Sequence, residues 1–133
     1  MELEEKLFIY KEIDFAINEI YKQIKLRCEK IDTNMFVNKQ VNQPNNFIKS
    51  FEYNLELVIR ENLNSDDYGV VYSLNIEEGK ETIIIAIDIT RSFGEVLYSK
   101  GYTLQNNQID SLLENINIAP AKLFDYAKGI IPD

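Results

Sequence analysis

Adjacent acids at Asp66–Asp67 and Glu77–Glu78, and a lone carboxylate, Asp88, inside the run IIIAIDIT, are the residues that first invite a chemical reading of this sequence. A carboxylate pair can divide general-acid and general-base roles, or hold calcium, when its oxygens converge on one point. Neither pair is placed to do so. Both fall at the ends of alternating runs, in NSDDYG and NIEEGK, where acids are ordinary turn residues, and neighbours on a strand point to opposite faces. NSDDYG also lacks the spaced ligands of an EF-hand loop.

The rest of the chemical vocabulary is thin. The chain has 0 histidines, which removes the commonest general base and the commonest metal ligand. Its single cysteine, Cys28, can form no disulfide within the chain and no structural zinc site of the usual kind. Cys28 falls four residues after Ile24 on a helical stripe, the place of a small buried hydrophobe. The glycines at 69, 79, 94, 101 and 129 are dispersed, so there is no phosphate-cradling loop and no dinucleotide fingerprint. The chain is therefore expected not to be an enzyme, and to use no metal and no cofactor.

Asp88 poses a different question. Alternation puts Ile83, Ile85, Ile87 and Ile89 on one side of a strand and Ile84, Ala86, Asp88 and Thr90 on the other. The first side is core; the second is mixed apolar and acidic. What positions that second side follows from the flanking patterns. From Leu3 to Ile31 apolar residues recur every three or four positions (Leu3, Leu7, Tyr10, Ile13, Ile17, Ile20, Tyr21, Ile24, Cys28), the period of a long amphipathic helix. An Asn- and Gln-rich connection follows, with a short extended piece near Met35 to Val37. SFEYNLELVIRE, YGVVYSLNI, ETIIIAIDIT and EVLYSKGYTL then alternate with period two. Loops as short as these join antiparallel neighbours, because a parallel crossover needs a dozen or more residues. Asn107 reads as a cap for a C-terminal helix carrying Ile109, Leu112, Leu113 and Ile116. Pro120 fits the first turn of a second short helix, and Gly129 fits its end. The expected fold is α+β: a long N-terminal helix, a four-stranded antiparallel meander, and one or two C-terminal helices packed on one sheet face, all within a single domain of residues 1–133.

In this register the covered face holds Phe51, Tyr53, Leu55, Leu57, Ile59, Val70, Tyr72, Leu74, the Ile83–Ile89 series, Val96, Tyr98 and Leu104. The opposite face presents Glu52, Glu56, Ile84, Asp88 and Glu95, with Val58, Val71, Ile84 and Leu97 as a small apolar centre. An open sheet face with an apolar middle and an acidic rim is suited to docking a basic protein. Asp66, Asp67 and Tyr68, in the turn beside it, add charge and an amphipathic ring of the kind that anchors interfaces.

Fourteen basic against 22 acidic residues give a net charge of −8, which repels phosphate backbones and anionic lipid and attracts cationic partners. Neither nucleic acid nor a membrane is an expected partner. The N-terminal stretch MELEEKLFIYKE is acidic where a secretory signal is basic, and no apolar run reaches the roughly 20 residues that span a bilayer, so a cytoplasmic location is expected. The composition sets no oligomeric state.

The order helix, meander, helix, with the run from VVYSLNIEEG through TIIIAIDIT to EVLYSKGYTL, resembles the small cytoplasmic immunity proteins that bacteria pair with contact-dependent and other polymorphic toxins. It is faintly similar to the TriTu immunity family, in which strands leading to an Ile-Asp stretch precede a C-terminal helix; Ile87 and Asp88 match that stretch. Tyr72 stands where that family carries a tryptophan. The resemblance implies a protein that binds a basic cognate toxin domain and blocks its active or substrate-binding site. A second likeness, in size and acidity, is to secretion chaperones that hold an extended effector segment.

Overall fold

The computed structural model describes residues 2–31, 35–42, 50–59, 68–79, 81–91, 94–105 and 109–128. Its elements are α1 (Leu3–Ile31), β1 (Met35–Asn42), β2 (Ser50–Ile59), β3 (Tyr68–Glu78), β4 (Ile83–Arg91), β5 (Val96–Leu104), α2 (Asp110–Asn117) and α3 (Ala119–Lys128). The strands form one antiparallel sheet in the order β1-β2-β3-β4-β5. The sheet thus has five strands rather than the expected four. The addition is β1, whose Met35, Val37 and Val41 alternate with Phe36, Asn38, Gln40 and Asn42 and pair with β2 along its whole length. Asparagine is depleted in strands, so composition hides an edge strand that its period-two pattern reveals.

The helices cover one face only. Ile13, Ile17, Ile20 and Ile24 of α1, Leu112 and Ile116 of α2 and Leu123 and Phe124 of α3 are buried in one cluster with Leu55, Leu57, Val70, Tyr72, Leu74 and the four isoleucines 83, 85, 87 and 89. At about 25 cal/mol per Å² of apolar surface, this burial is the main stabilising contribution. Cys28 is buried in the same cluster, and burial pushes its thiol pKa up. Leu3 and Leu7, expected on the helical stripe, are exposed instead, while Ile9 takes a core position. The core stripe is therefore carried by Ile9, Ile13, Ile17, Ile20 and Ile24, and it starts a turn and a half later than the sequence pattern implies.

Polar contacts fix the angle at which α1 crosses the sheet. Lys6 Nζ donates to Glu78 Oε1 at 2.8 Å, with both side chains largely out of water (12% and 14% exposed). The Tyr10 ring lies 5.9 Å from that of Phe51. Tyr53 Oη donates to Asp14 Oδ1 at 3.1 Å, and Lys39 Nζ donates to Asn18 Oδ1 at 2.6 Å. In sequence order these contacts step from β3 to β2 to β1, so the helix runs obliquely toward the β1 edge.

The hairpin between β3 and β4 is closed by the Gly79 N–H donating to Thr82 O at 2.8 Å; a Cβ at Gly79 would lie 3.0 Å from Thr82 Oγ1, tighter than ordinary contact. Gly94, with φ +90°, makes the β4–β5 turn. The N-cap position of α2 is occupied by Ile109, which makes no side-chain cap bond. Asn107 and Gly129, expected as caps, lie outside the described residues. Pro120 sits in the first turn of α3 as expected: lacking an N–H, it separates α2 from α3 at Ile118.

Candidate functional site

The antiparallel register arranges the uncovered face in rows running across the strands. One row reads Gln40, Asn54, Ser73, Asp88 and Ser99; the next reads Asn42, Glu52, Asn75, Ala86 and Gly101. On the other side of the first row lie Asn38, Glu56, Val71 and Thr90, and beyond the second lie Ser50, Glu77, Ile84 and Thr103. Residues directly opposite on antiparallel strands project to the same side, so each row is a line of neighbouring side chains.

Those neighbours bond to one another. Ser73 Oγ donates to Asn54 Oδ1 at 2.6 Å, Ser99 Oγ donates to Asp88 Oδ1 at 2.7 Å, and Asn42 Nδ2 reaches Glu52 Oε2 at 3.5 Å. The Ser73 and Ser99 hydroxyls spend their donors inside the sheet. Four carboxylates, Glu52, Glu56, Glu77 and Asp88, stand on this face, and among its described residues there is no Lys or Arg. Every described cation on a strand projects the other way. Lys39 pairs across to Leu55 and reaches α1, Arg91 pairs to Val70, and Lys100 pairs to Ile87, with its ammonium 5.4 Å from the centre of the Tyr102 ring. A concavity of about 220 Å³ lined by Asn38, Gln40, Asn54, Glu56 and Val71 opens on the same face. Beside it, Ala86 and Gly101 leave the surface low across β4 and β5.

The expected site residues divide. Glu52, Glu56, Val71 and Asp88 are half-buried on the open face, and Ile84 is 46% exposed there. Four other assignments are corrected. Val58 is on this face but only 4% exposed, directly across from Phe36 on one side and Gly69 on the other. A register irregularity at Ile89/Thr90 pairs Ile89 with Tyr98 and Thr90 with Val96, leaving Leu97 as the extra residue. Leu97 consequently packs against the core, and its carbonyl accepts a hydrogen bond from Tyr126 Oη at 3.3 Å. By the same irregularity Val96, expected in the core, is 61% exposed. Glu95 precedes β5, in the turn rather than on the open face, where its exposed carboxylate forms an ion pair with Arg91 Nε at 3.1 Å.

No apolar centre therefore forms. Val71 and Ile84 stand three rows apart, about 20 Å along the strands at 3.3 Å per residue. Asp66 and Asp67 lie outside the described residues; Tyr68 opens β3 opposite Ile59. Glu77 and Glu78, adjacent in sequence, end on opposite faces, Glu77 in the open row and Glu78 on Lys6, so they cannot act on one point. Among the described residues no group of three or more acids and cysteines is arranged to hold a metal ion.

Asn38 and Gln40 fall beyond the short extended piece expected near Met35 to Val37, which runs on to Asn42 as a full edge strand, and Glu77 reads from sequence as a turn residue. Continuing the alternation of Met35, Val37 and Val41 finds the first two. No described helix is long and apolar enough to cross a membrane. No protein-family model, curated protein or solved structure matches the chain.

Proposed function

We propose that the chain is a toxin-neutralising immunity protein, acting in the cytoplasm, that grips a basic cognate toxin domain with the uncovered face of its sheet and so blocks the toxin's active or substrate-binding site. One observation carries this reading: that face holds four carboxylates and a lattice of amides and hydroxyls, with no cation among its described residues. Such a surface offers acceptors to Lys and Arg and repels anions. Complementary fields also raise association rates by about 10- to 1000-fold, which suits a protein that must capture a toxin before it acts. The mode of grip is polar, since the apolar residues of the face are scattered.

The test is co-expression with the product of the neighbouring reading frame. The chain should protect the cell and bind the folded toxin domain. The triple variant Glu52→Lys, Glu56→Lys, Asp88→Lys should keep its fold and associate at least about tenfold more slowly at low salt. No protection, or binding indifferent to the triple variant, overturns the reading.

A secretion chaperone is the second reading. It draws on a groove of about 780 Å³ along α1, where Leu7, Tyr10, Phe15, Tyr21 and Tyr53 make aromatic and apolar walls. A chaperone would bind an unfolded segment there, whereas the immunity protein binds a folded domain on the other side of the sheet.

A further inference from the structure

The outward side of α1 carries a feature that neither the core nor the open sheet face uses. Phe8, Phe15 and Leu26 are 55%, 66% and 58% exposed. At 100° per residue they fall within about 20° of one line, on the side of the helix away from Ile13 and Ile20. Their spacing of seven and eleven is that of a coiled-coil seam, with Glu12, Glu19 and Lys22 at the intervening seam positions. Large aromatic side chains held in water along one helical line need an occupant, and the charge of the same helix says which.

Residues 3–19 carry five acids against two lysines, a net of −3, whereas residues 20–31 carry four cations against one acid, a net of +3. The helix is neutral as a whole, so the chain's −8 resides outside it. Outside α1 the net charge makes two copies repel on average, and along α1 the charges match only when the helices run antiparallel. Antiparallel alignment also opposes the two helix dipoles favourably.

We infer that the chain forms a two-fold symmetric dimer through an antiparallel pairing of α1 with α1 of a second copy. The register that layers the seam sets Phe8 of one copy against Leu26 of the other, Glu12 against Lys22, and Phe15 beside Glu19, with each layer repeated by the symmetry. The layers span about 27 Å of helix, from position 8 to position 26. The sheet's open face points away from this seam, so a dimer presents two independent acidic faces, and the inference does not rest on the proposed function. Lys22, held at 3.4 Å from Glu19 within its own helix, is exposed enough to turn to Glu12 of the second copy.

Sedimentation of the full chain from about 1 to about 100 µM tests this. The expected mass rises from 15.5 kDa toward twice that value over the range. Phe15→Glu should hold the monomer throughout with an unchanged circular dichroism spectrum, since Phe15 is largely exposed and stands outside the core cluster. Glu12→Lys alone and Lys22→Glu alone should each be monomeric, because each homodimer would set like charges together twice. An equimolar mixture of the two should dimerise, because both Glu–Lys layers are then restored. A wild-type chain that stays monomeric at the top of the range, a dimer untouched by Phe15→Glu, or a mixture that fails to recover the dimer overturns the inference.

Discussion

On the helix side of the sheet, each described acid or cation of β1 to β5 has a partner close by. Glu78 takes Lys6, Lys39 takes Asn18, Lys100 lies over the Tyr102 ring and Arg91 takes Glu95. On the other side, four carboxylates stand among amides and hydroxyls, with no cation among the described residues. Both sides are made by the same strands, and consecutive residues supply them. The difference follows from what each face must satisfy. Of these ions only Glu78, with Lys6, is drawn largely out of water by α1, and an ion so buried persists only when paired; Lys39, Lys100 and Arg91 keep much of their exposure. A face left in water carries single-sign charge at little cost to folding.

The adjacent residues Ile87 and Asp88 stand on opposite faces and should differ most in what their substitution costs. Ile87 is fully buried between Leu74 and Lys100 on the covered face. Ile87→Ala should lower the unfolding free energy by about 2–5 kcal/mol in denaturant titration, through lost burial and the cavity left behind. Ile87→Asp should leave no cooperative transition, because a buried charge there has no partner. If Ile87→Ala cost less than about 1 kcal/mol, the covered face would not be the core.

A smaller effect, with a pH signature, comes from Tyr53. Burial, and then the neighbouring Asp14 carboxylate, push its phenol pKa up to about 12, from about 10 in the unfolded chain. The folded state therefore retains the phenol proton at pH values where the unfolded state has lost it. Stability from this group is fully present below pH 10 and is lost as pH rises toward 12. Tyr10 and Tyr72 are raised too, chiefly by burial, and act in the same direction. Tyr53→Phe removes the hydrogen bond to Asp14 and should cost about 1–2 kcal/mol at neutral pH. That difference should shrink toward zero between pH 10 and 12, measured by denaturant unfolding alongside tyrosinate absorbance. A difference constant across that range would show that Tyr53 is not held protonated by its surroundings.

How far the two faces were legible in the sequence depends on which physical rule governs each residue. Large apolar residues hold every second position from Phe51 to Leu57 and from Ile83 to Ile89, so the parity of Glu52, Glu56, Ile84 and Asp88 could be read directly. Parity fails where the ladder gains a residue: the irregularity beside Thr90 sends Val96 to water and Leu97 to the core, and neither side chain's chemistry announces it. Val58 was misjudged for another reason, since burial at the end of a face depends on neighbours such as Phe36 in a strand that composition conceals. The apolar centre was lost to register, because which of Val71 and Ile84 lies in which row is set by pairing and not by sequence order. In α1 the period was legible but its start was not: Leu3 and Leu7 share the spacing of the stripe yet lie beyond the part of the helix that the sheet and α2 cover, so they stay in water while Ile9 is buried.

The smallest stability effect is the most discriminating. Asp88→Ile exchanges the chemistry of the residue next to Ile87 but on the face without a cover. It removes an acceptor of the Ser99 hydroxyl, which can turn to water, and introduces a β-branched side chain that a strand favours. The unfolding free energy should change by no more than about 0.5 kcal/mol. The same substitution deletes one of the four described carboxylates from this face and plants an apolar group among amides, so complex formation with the proposed basic partner should weaken by about tenfold or more. Stability and binding thus move independently at Asp88 and together at Ile87. A loss of stability at Asp88 comparable to that at Ile87 would mean that the second face is also closed in solution, and the separation of folding from recognition would fail at its simplest test.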